Sequence, residues 1–225
     1  MMIKLSLWAV LCICVLFATP AYAAGAEHNF RMWTPLYSSF PIHRKVRGYF
    51  EVNPRLDNDL RGLNQLLVRP GLTYNFTQRL SGTLGYCWIT NYSPTYVQEQ
   101  RIWEQVLYRL SFKKLAIDNR FRLEQRLLQH THACSNRFRY MLRLAYPIGE
   151  TPYYLVAFDE LFVNLNAIEN GPDAGIDQNR IFAGIGRRLG SKIRVECGYQ
   201  QQYINRTDIF DQGNHILLIG IFADI

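Results

Sequence analysis

Residues 120–127 read RFRLEQRL and residues 137–146 read RFRYMLRLAY, so that charged and apolar side chains alternate. Successive side chains of a β-strand point to opposite faces of its sheet. Both segments therefore predict strands with one charged face and one apolar face. The same period of two returns in residues 80–88 and 192–203, and the chain after Phe30 shows little helical periodicity.

Eleven runs of this kind can be drawn between residue 30 and the C-terminus, and most contain nine or more residues. Strands of soluble proteins usually have about 5–6 residues, whereas membrane-spanning strands need about 9–11. We therefore predict an all-β fold, a single antiparallel transmembrane β-barrel of about 10–12 strands. Because bacterial single-chain barrels have even strand numbers, eleven runs imply that one run is not a full strand or that one more exists.

The predicted connections between these runs alternate in length. Short ones fall near residues 75–78, 111–114, 147–152 and 188–191, and longer ones at 54–62, 90–99, 128–136, 164–178 and 204–213. Tight turns at one end and longer loops at the other are typical of outer-membrane barrels. A soluble β-sandwich has no reason to sort its connections in this way.

Alternation alone does not say which strand face is enclosed. A lipocalin-like soluble barrel has its apolar face inside, whereas a membrane barrel has it outside. Arginines crowd the polar face beside glycines, which suits an enclosed lumen. Aromatic residues such as Tyr86, Trp88, Tyr140 and Tyr146 belong to the apolar face, as an interfacial girdle requires. Both features favour the membrane orientation.

The composition and the first residues bound the class of protein. The chain has 225 residues, of which 48% are hydrophobic and 14% aromatic, and its net charge is +7. These values suit one barrel and exclude an intrinsically disordered chain. Residues 1–23 combine a basic start, the apolar run Leu5–Ala18 and small residues at Ala21 and Ala23, which predicts a secretory signal peptide. Residues 24–225 would then form a barrel in the outer membrane of a Gram-negative cell.

Beyond residue 23 the chain has three cysteines, Cys87, Cys134 and Cys197, and no Cys-x-x-Cys motif. In an oxidising compartment this odd number predicts at least one free thiol or an intermolecular link. The missing motif excludes zinc-ribbon and thioredoxin classes.

Short polar and aromatic motifs follow one another along the predicted strands. They are Trp33, Glu51-x-x-x-Arg55, Arg120-x-Arg122-x-Glu124-x-Arg126, Arg137-Phe138-Arg139-Tyr140-x-x-Arg143, Asp159-Glu160-x-Phe162-x-Asn164, Asp177-Gln178-Asn179-Arg180-x-Phe182-x-Gly184, and Glu196-x-Gly198-Tyr199 with Gln202. In this order they resemble the DUF2490 family, bacterial outer-membrane barrels of undefined function. The resemblance covers nearly all of the chain after residue 23. It implies an outer-membrane barrel and no catalytic residues.

The strongest candidate site is the charged strand face, which we predict to line the lumen. Its members are Arg47, Glu51, Arg55, Arg120, Arg122, Glu124, Arg126, Arg137, Arg139, Arg143, Lys192, Arg194 and Glu196. Ten positive charges thus meet three negative ones, and further partners at Glu104, Asp159 and Glu160 would still leave an excess of four. Cross-strand ion pairs would stiffen a closed barrel. Because buried unpaired arginine is costly, the excess implies that water or anions reach some of these groups.

Other chemistry has weaker support in the sequence. His130, His132 and Cys134 have a spacing that could chelate zinc or copper, but they fall in a long loop without a fourth ligand nearby. Asp173 and Asp177 belong to an acidic loop that could take calcium, but no EF-hand pattern is present. The sequence has no Gly-x-Ser-x-Gly motif, and no histidine lies beside a strand-end serine in a recognisable elbow, so no motif indicates a hydrolase. We expect no metal, no cofactor and no nucleic-acid partner.

Several functions stay open at this point. The favoured one is an integral outer-membrane barrel that is either a narrow channel favouring anions or a structural barrel. Its expected partners are outer-membrane lipid and lipopolysaccharide, the barrel-assembly machinery and small anions. The alternatives are an outer-membrane enzyme that hydrolyses lipid or peptide, and a soluble periplasmic carrier whose pocket is the apolar face.

Overall fold

Strands account for most of the residues that the computed structural model describes, which are 27–57, 62–92, 95–129, 131, 133–205 and 211–225. The predicted signal peptide therefore lies outside the described residues. The strands are β1 (Glu27–Trp33), β2 (Leu36–His43), β3 (Val46–Asp57), β4 (Gly62–Asn75), β5 (Leu80–Asn91), β6 (Val97–Phe112), β7 (Leu115–Leu128), β8 (Cys134–Pro147), β9 (Tyr153–Asn164), β10 (Gly175–Leu189), β11 (Ile193–Ile204) and β12 (Gln212–Asp224). No helix among the described residues is long and apolar enough to cross a membrane.

The first two strands share one position around the barrel. β1 pairs in parallel with β12, and β2 continues along β12 in the same register. Thr34 and Pro35 interrupt the line because proline has no N–H to donate to a sheet. The Ile221 N–H instead donates to the Pro35 carbonyl oxygen at 2.9 Å. The closed sheet consequently has eleven strand positions rather than twelve.

An odd strand number changes how the barrel closes. The first and last positions run in the same direction, so the seam is parallel, whereas all other neighbouring pairs are antiparallel. The all-β barrel and the predicted range of strand numbers are confirmed, but the expectation of an even number was wrong. That expectation placed both ends of the strand series on one side, and here Glu27 and Asp224 lie at opposite ends of the barrel.

The connections are sorted by end. One end carries the connections 44–45, 76–79, 113–114, 148–152 and 190–192. At the other end β3, β5, β7, β9 and β11 finish and the strands that follow them begin. The tight turns need backbone angles that few residues adopt, and Gly190 has a φ of 74°. Asp224 lies at the end with the shorter connections, and Glu27 lies at the end with the longer ones.

The two strand faces have opposite character. Large apolar side chains such as Leu84, Trp88, Ile102, Phe121 and Leu155 stand exposed on the outside. Charged and amide side chains such as those of Arg122, Glu124 and Gln200 are buried inside, each at most 2% exposed. The alternative of a soluble carrier with an apolar pocket was therefore wrong, because the apolar face points away from the lumen.

Apolar packing inside the barrel is confined to patches of its wall. One patch combines Leu67, Cys87, Ile89 and Trp103. The Trp103 ring lies flat against Gly85, where a Cβ would come within 2.5 Å of both the ring and the Pro70 carbonyl oxygen. Glycine at this position thus makes room for a large ring within the lumen.

The three described cysteines, Cys87, Cys134 and Cys197, are all free thiols. They lie on β5, β8 and β11, so no disulfide closes this barrel across its described strands.

Candidate functional site

The lumen contains a cavity of about 1020 Å³ that runs along most of the strands. Among the described residues, fourteen arginines and eight carboxylates line it. Glu124 is fully buried behind this lining and adds a ninth carboxylate. The enclosed face therefore carries a surplus of positive charge.

Glu124, on β7, is the centre of the ion-pair network. Its carboxylate accepts hydrogen bonds from Arg139 at 2.6 Å, from Arg137 at 2.7 Å and from Arg101 at 3.3 Å. Arg122 and Arg69 approach it at 3.8 and 4.0 Å. A fully buried carboxylate is stable only when such donors replace its water.

Two more glutamates extend this network around the wall. Glu160 accepts from Arg120 and Arg139, each at 2.6 Å, and Glu99 accepts from Arg101 at 2.7 Å and Arg126 at 2.6 Å. Arg101 and Arg139 thereby join three carboxylates into one array across β6 to β9. We call the set Glu99, Arg101, Glu124, Arg137, Arg139 and Glu160 the paired cluster.

Two smaller groups pair carboxylates elsewhere in the lumen. Glu51 accepts from Arg69 at 2.6 Å and from the Tyr49 hydroxyl at 2.7 Å. Glu196 accepts from the Tyr154 hydroxyl at 2.7 Å and from Arg143, which reaches it from β8 across two intervening strands. Long arginine side chains thus cross the lumen as well as following its wall.

A different arrangement occurs where β1, β3 and β10 face the lumen. Arg55 donates to the Gln65 side-chain oxygen at 2.5 Å, and Arg180 donates to the Gln178 side-chain oxygen at 3.3 Å. Neither arginine has a carboxylate within 4 Å among the described residues. Both guanidinium groups stand over the Trp33 ring, at 3.8 Å for Arg55 and 4.9 Å for Arg180. We call the set Trp33, Arg55, Gln65, Gln178 and Arg180 the unpaired cluster.

Phe162 connects the paired and unpaired clusters. Its ring is fully buried. The guanidinium carbons of Arg139, Arg180 and Arg137 lie 4.3, 4.6 and 5.2 Å from the ring centroid. The electron-rich face of an aromatic ring attracts cations without neutralising them. The ring therefore holds three guanidinium groups in place without using any of their hydrogen-bond donors.

Arg122 is a third arginine whose hydrogen bonds go to an amide, since Glu124, 3.8 Å away, already accepts from three other arginines. It donates twice to the Gln105 side-chain oxygen, at 2.6 and 3.1 Å, and stands 4.6 Å from the Trp103 ring. Its Nη1 is buried and makes no hydrogen bond with the described residues.

Twelve of the thirteen predicted site residues lie on strands, and their surroundings differ. The members with a buried or half-buried side chain in the lumen are Arg47, Glu51, Arg55, Arg120, Arg122, Glu124, Arg126, Arg137, Arg139, Arg143 and Glu196. Arg194 borders the cavity but is exposed, and it covers the Phe222 ring at 4.2 Å. Lys192 is exposed in the 190–192 connection and does not line the cavity.

The partners expected for the surplus arginines are only partly present. Glu160 lies in the lumen, but Glu104 and Asp159 stand on the outer face, where they accept hydrogen bonds from Gln125 and Asn179. Sequence reasoning missed one lumen glutamate, Glu99, which lies with Arg101 on a weakly alternating segment. In β6, Gln100 and Glu104 occupy the outer face, so the charged lumen residues Glu99 and Arg101 do not stand out.

The candidate metal ligands of the sequence analysis do not assemble in the part of the chain that is described. His130 and His132 lie outside the described residues, and Cys134 begins β8. Asp177 pairs with Arg137 at 2.9 Å instead of facing an acidic loop. The described residues contain no group of three or more metal-ligating side chains.

Chemically, the lumen is a positively charged, enclosed space with many hydrogen-bond donors. Guanidinium groups bind carboxylate and phosphate oxygens through paired N–H donors. The amide-held arginines have donors that the protein does not fully use, as the unpartnered Nε of Arg55 illustrates.

Comparison with known proteins gives one family match and one relative. The family model of DUF2490, described as a protein of unknown function, matches residues 30–214. An uncharacterized protein of Methylorubrum extorquens is 27% identical over 218 residues, which is 94% of each chain. The motifs that suggested this family meet in the lumen, since Trp33, Arg55, Glu124 and Arg180 all reach it. The chain therefore belongs to the DUF2490 family.

Proposed function

We propose that the protein is an integral outer-membrane barrel, exported by its signal peptide, whose narrow lumen passes small anions. One observation carries the proposal: the outer face of the barrel is apolar, and the face that lines the lumen is charged, with more arginines than carboxylates. The partners in this proposal are outer-membrane lipid and lipopolysaccharide, the barrel-assembly machinery and small anions. We propose no catalytic step.

The outer surface supports the membrane part of the proposal. Thirty-three large hydrophobic side chains among the described residues are exposed, which is far beyond the scattered apolar residues of a soluble surface. β3 to β12 contain from twelve to sixteen residues each, and a tilted membrane strand needs about 9–11. A closed barrel also leaves no unpaired strand edge in lipid.

The lumen supports the anion part of the proposal. Rings of arginine and lysine favour anions in pores. Paired arginines contribute little net field, because their carboxylates cancel it, so the preference comes from Arg55, Arg122 and Arg180. Eight-stranded barrels are filled by their side chains, whereas sixteen-stranded barrels leave an aqueous channel. A barrel with eleven strand positions is intermediate in width, and these arginine side chains occupy part of its lumen. We therefore expect a small conductance.

The membrane orientation is tested by two neighbouring substitutions on β8. Leu142 is on the apolar face, and Leu142→Arg places a charge against lipid at a cost of about 2–4 kcal/mol near the bilayer centre. Met141 faces the lumen, so Met141→Arg is expected to assemble better. Assembly is measured as the fraction of protein whose gel mobility changes on heating and that resists carbonate extraction. The reverse ranking would refute the membrane orientation.

The anion preference is tested with purified protein in planar bilayers under a potassium chloride gradient. We expect a small conductance with an anion-selective reversal potential. Arg122→Gln is expected to lower the selectivity with equal or greater conductance, and Lys192→Gln, in an exposed connection, to change neither. Clear cation selectivity of the unmodified protein would refute the electrostatic argument. Complete silence of all three proteins would refute the channel and favour a sealed structural barrel.

A further inference from the structure

The unpaired cluster combines three features that point to a ligand. Arg55 and Arg180 have no carboxylate partner among the described residues, they share one aromatic ring, and unpartnered amide atoms border the same cavity. We propose that this part of the lumen is a binding site for a small polyhydroxylated anion, such as a sugar acid or a sugar phosphate. The inference rests on the proposed anion-admitting lumen and deepens it.

The two guanidinium groups supply the anionic half of the site. Trp33 is 4% exposed, and its ring orients both groups while leaving their charges intact. Each arginine has five N–H donors. Gln65 takes one from Arg55, and Arg180 donates to Gln178 and to the side-chain oxygen of Gln202 at 3.1 and 3.2 Å, so both arginines keep N–H groups for a ligand. Two like charges held on one ring repel each other, and an anion between them turns that repulsion into attraction.

The amide groups supply the hydroxyl-binding half of the site. Asn53 is 4% exposed and Gln200 is 1% exposed, and both border the cavity. The Asn53 side-chain oxygen and the Gln200 side-chain nitrogen make no hydrogen bond with the described residues. Acetate has no donor to give to the Asn53 oxygen, whereas a ligand hydroxyl can both donate and accept.

The ion pairs of the paired cluster exclude it as the site. In the paired cluster the donors of Arg101, Arg137 and Arg139 already bind carboxylates at 2.6 to 3.3 Å. A ligand there would have to displace a buried glutamate. The cavity of about 1020 Å³ is of the size that holds small molecules, whose sites span roughly 300–1000 Å³.

The test is isothermal titration of the full chain, folded in detergent at low ionic strength. The probes are gluconate against acetate, glucose 6-phosphate against inorganic phosphate, and neutral glucose. We expect each hydroxylated anion to bind at least about 10-fold more tightly than its simple counterpart and than glucose, because a charged partner and several hydroxyl bonds act together. If only gluconate binds more tightly than its simple counterpart, acetate, the ligand is a sugar acid. If only glucose 6-phosphate binds more tightly than inorganic phosphate, the ligand is a sugar phosphate.

Variants separate the two halves of the site. Arg55→Gln and Arg180→Gln are each expected to weaken binding of the preferred probe by at least about 10-fold, as loss of a charge-assisted bond does. Asn53→Leu is expected to remove the advantage of the hydroxylated anion while leaving binding of the simple anion unchanged. The matched control is Arg187→Gln, because Arg187 is exposed and lies against the Tyr153 ring instead of the cavity.

Equal binding of gluconate and acetate, and of the two phosphates, would overturn the inference, as would glucose binding equally well. Unchanged binding in both arginine variants would also overturn it. If an arginine variant fails to fold, the ranking of probes on the unmodified protein and on Asn53→Leu decides. If the protein is anion-selective in bilayers but does not prefer the hydroxylated anions in titration, the binding site is refuted and the channel is not. If it prefers the hydroxylated anions but shows no conductance, the channel is refuted and the binding site is not.

Discussion

The paired and unpaired clusters use the same residue type in opposite ways. In the paired cluster, arginines neutralise buried glutamates, and Glu124 alone takes hydrogen bonds from three of them. In the unpaired cluster, amides and an aromatic ring hold Arg55 and Arg180, which keep their charge. The difference indicates that the first cluster holds the barrel together and that the second provides its positive field.

The variant Glu124→Gln tests the stabilising role of the paired cluster, and it has the largest expected effect. The glutamine keeps the shape of the side chain but leaves Arg101, Arg137 and Arg139 without their shared carboxylate. Removing one partner from a buried ion pair costs about 3–5 kcal/mol, so unfolding should shift to much lower urea concentration. The control is Glu150→Gln in the exposed 148–152 connection, where the change should stay within about 0.5 kcal/mol. A Glu124 variant as stable as this control would mean that the paired cluster does not stabilise the barrel.

The same arginine-to-glutamine change in each cluster compares them directly. Arg139 donates to both Glu124 and Glu160, so Arg139→Gln should cost about 2–3 kcal/mol. Arg180→Gln removes a charge that no described carboxylate balances, so it should cost less than about 1 kcal/mol. Both values come from urea unfolding followed by tryptophan fluorescence. Equal costs would remove the distinction between the clusters.

Phe162→Leu tests the ring that joins the two clusters. The change loses ring area and the attraction of three guanidinium groups, with an expected cost of about 1–2 kcal/mol. Phe182→Leu is the matched control, because Phe182 is also buried but stacks on Phe158 instead of on an arginine. The stability difference between the two variants measures the cation–π part. A larger loss in the Phe182 variant would mean that packing alone explains the role of Phe162.

The smallest expected effect comes from converting an amide-held arginine into a paired one. Gln105 accepts two hydrogen bonds from Arg122, and Gln105→Glu would replace them with a charge-assisted pair. Stability should rise by about 1 kcal/mol, and anion selectivity should fall. Gln78→Glu in the exposed 76–79 connection adds the same charge without an arginine in the lumen and should change neither. A loss of stability in the Gln105 variant would show that this arginine is not short of negative charge.

Much of the architecture could be predicted because alternation is a local property. The charged faces of residues 120–127 and 137–146 needed no knowledge of their neighbours, and the structure has them as parts of β7 and β8. The positions of short and long connections followed from the same pattern. β6 was harder, since polar residues on its outer face hide the alternation that would have indicated Glu99 and Arg101.

Pairing and closure depend on residues far apart in the chain. Arg143 and Glu196 meet although 53 positions separate them, and Arg180 reaches Trp33 from the opposite end of the strand series. A residue's partner across a lumen depends on strand number and register, neither of which is encoded in one strand. Asp159 and Glu160 are neighbours on β9, so alternation allowed only one of them to face the lumen, and the structure shows that it is Glu160.

The sequence by itself determined that the chain forms long two-faced strands, because a period of two allows each side chain only one of two faces. It also determined that arginine outnumbers carboxylate on the charged face. Only the tertiary structure decided which face is enclosed and that eleven strand positions close through a parallel seam. It also decided that Arg55 and Arg180 have no carboxylate partner among the described residues. The physical reason is that enclosure and charge balance depend on the whole closed sheet, whereas alternation depends on each strand alone.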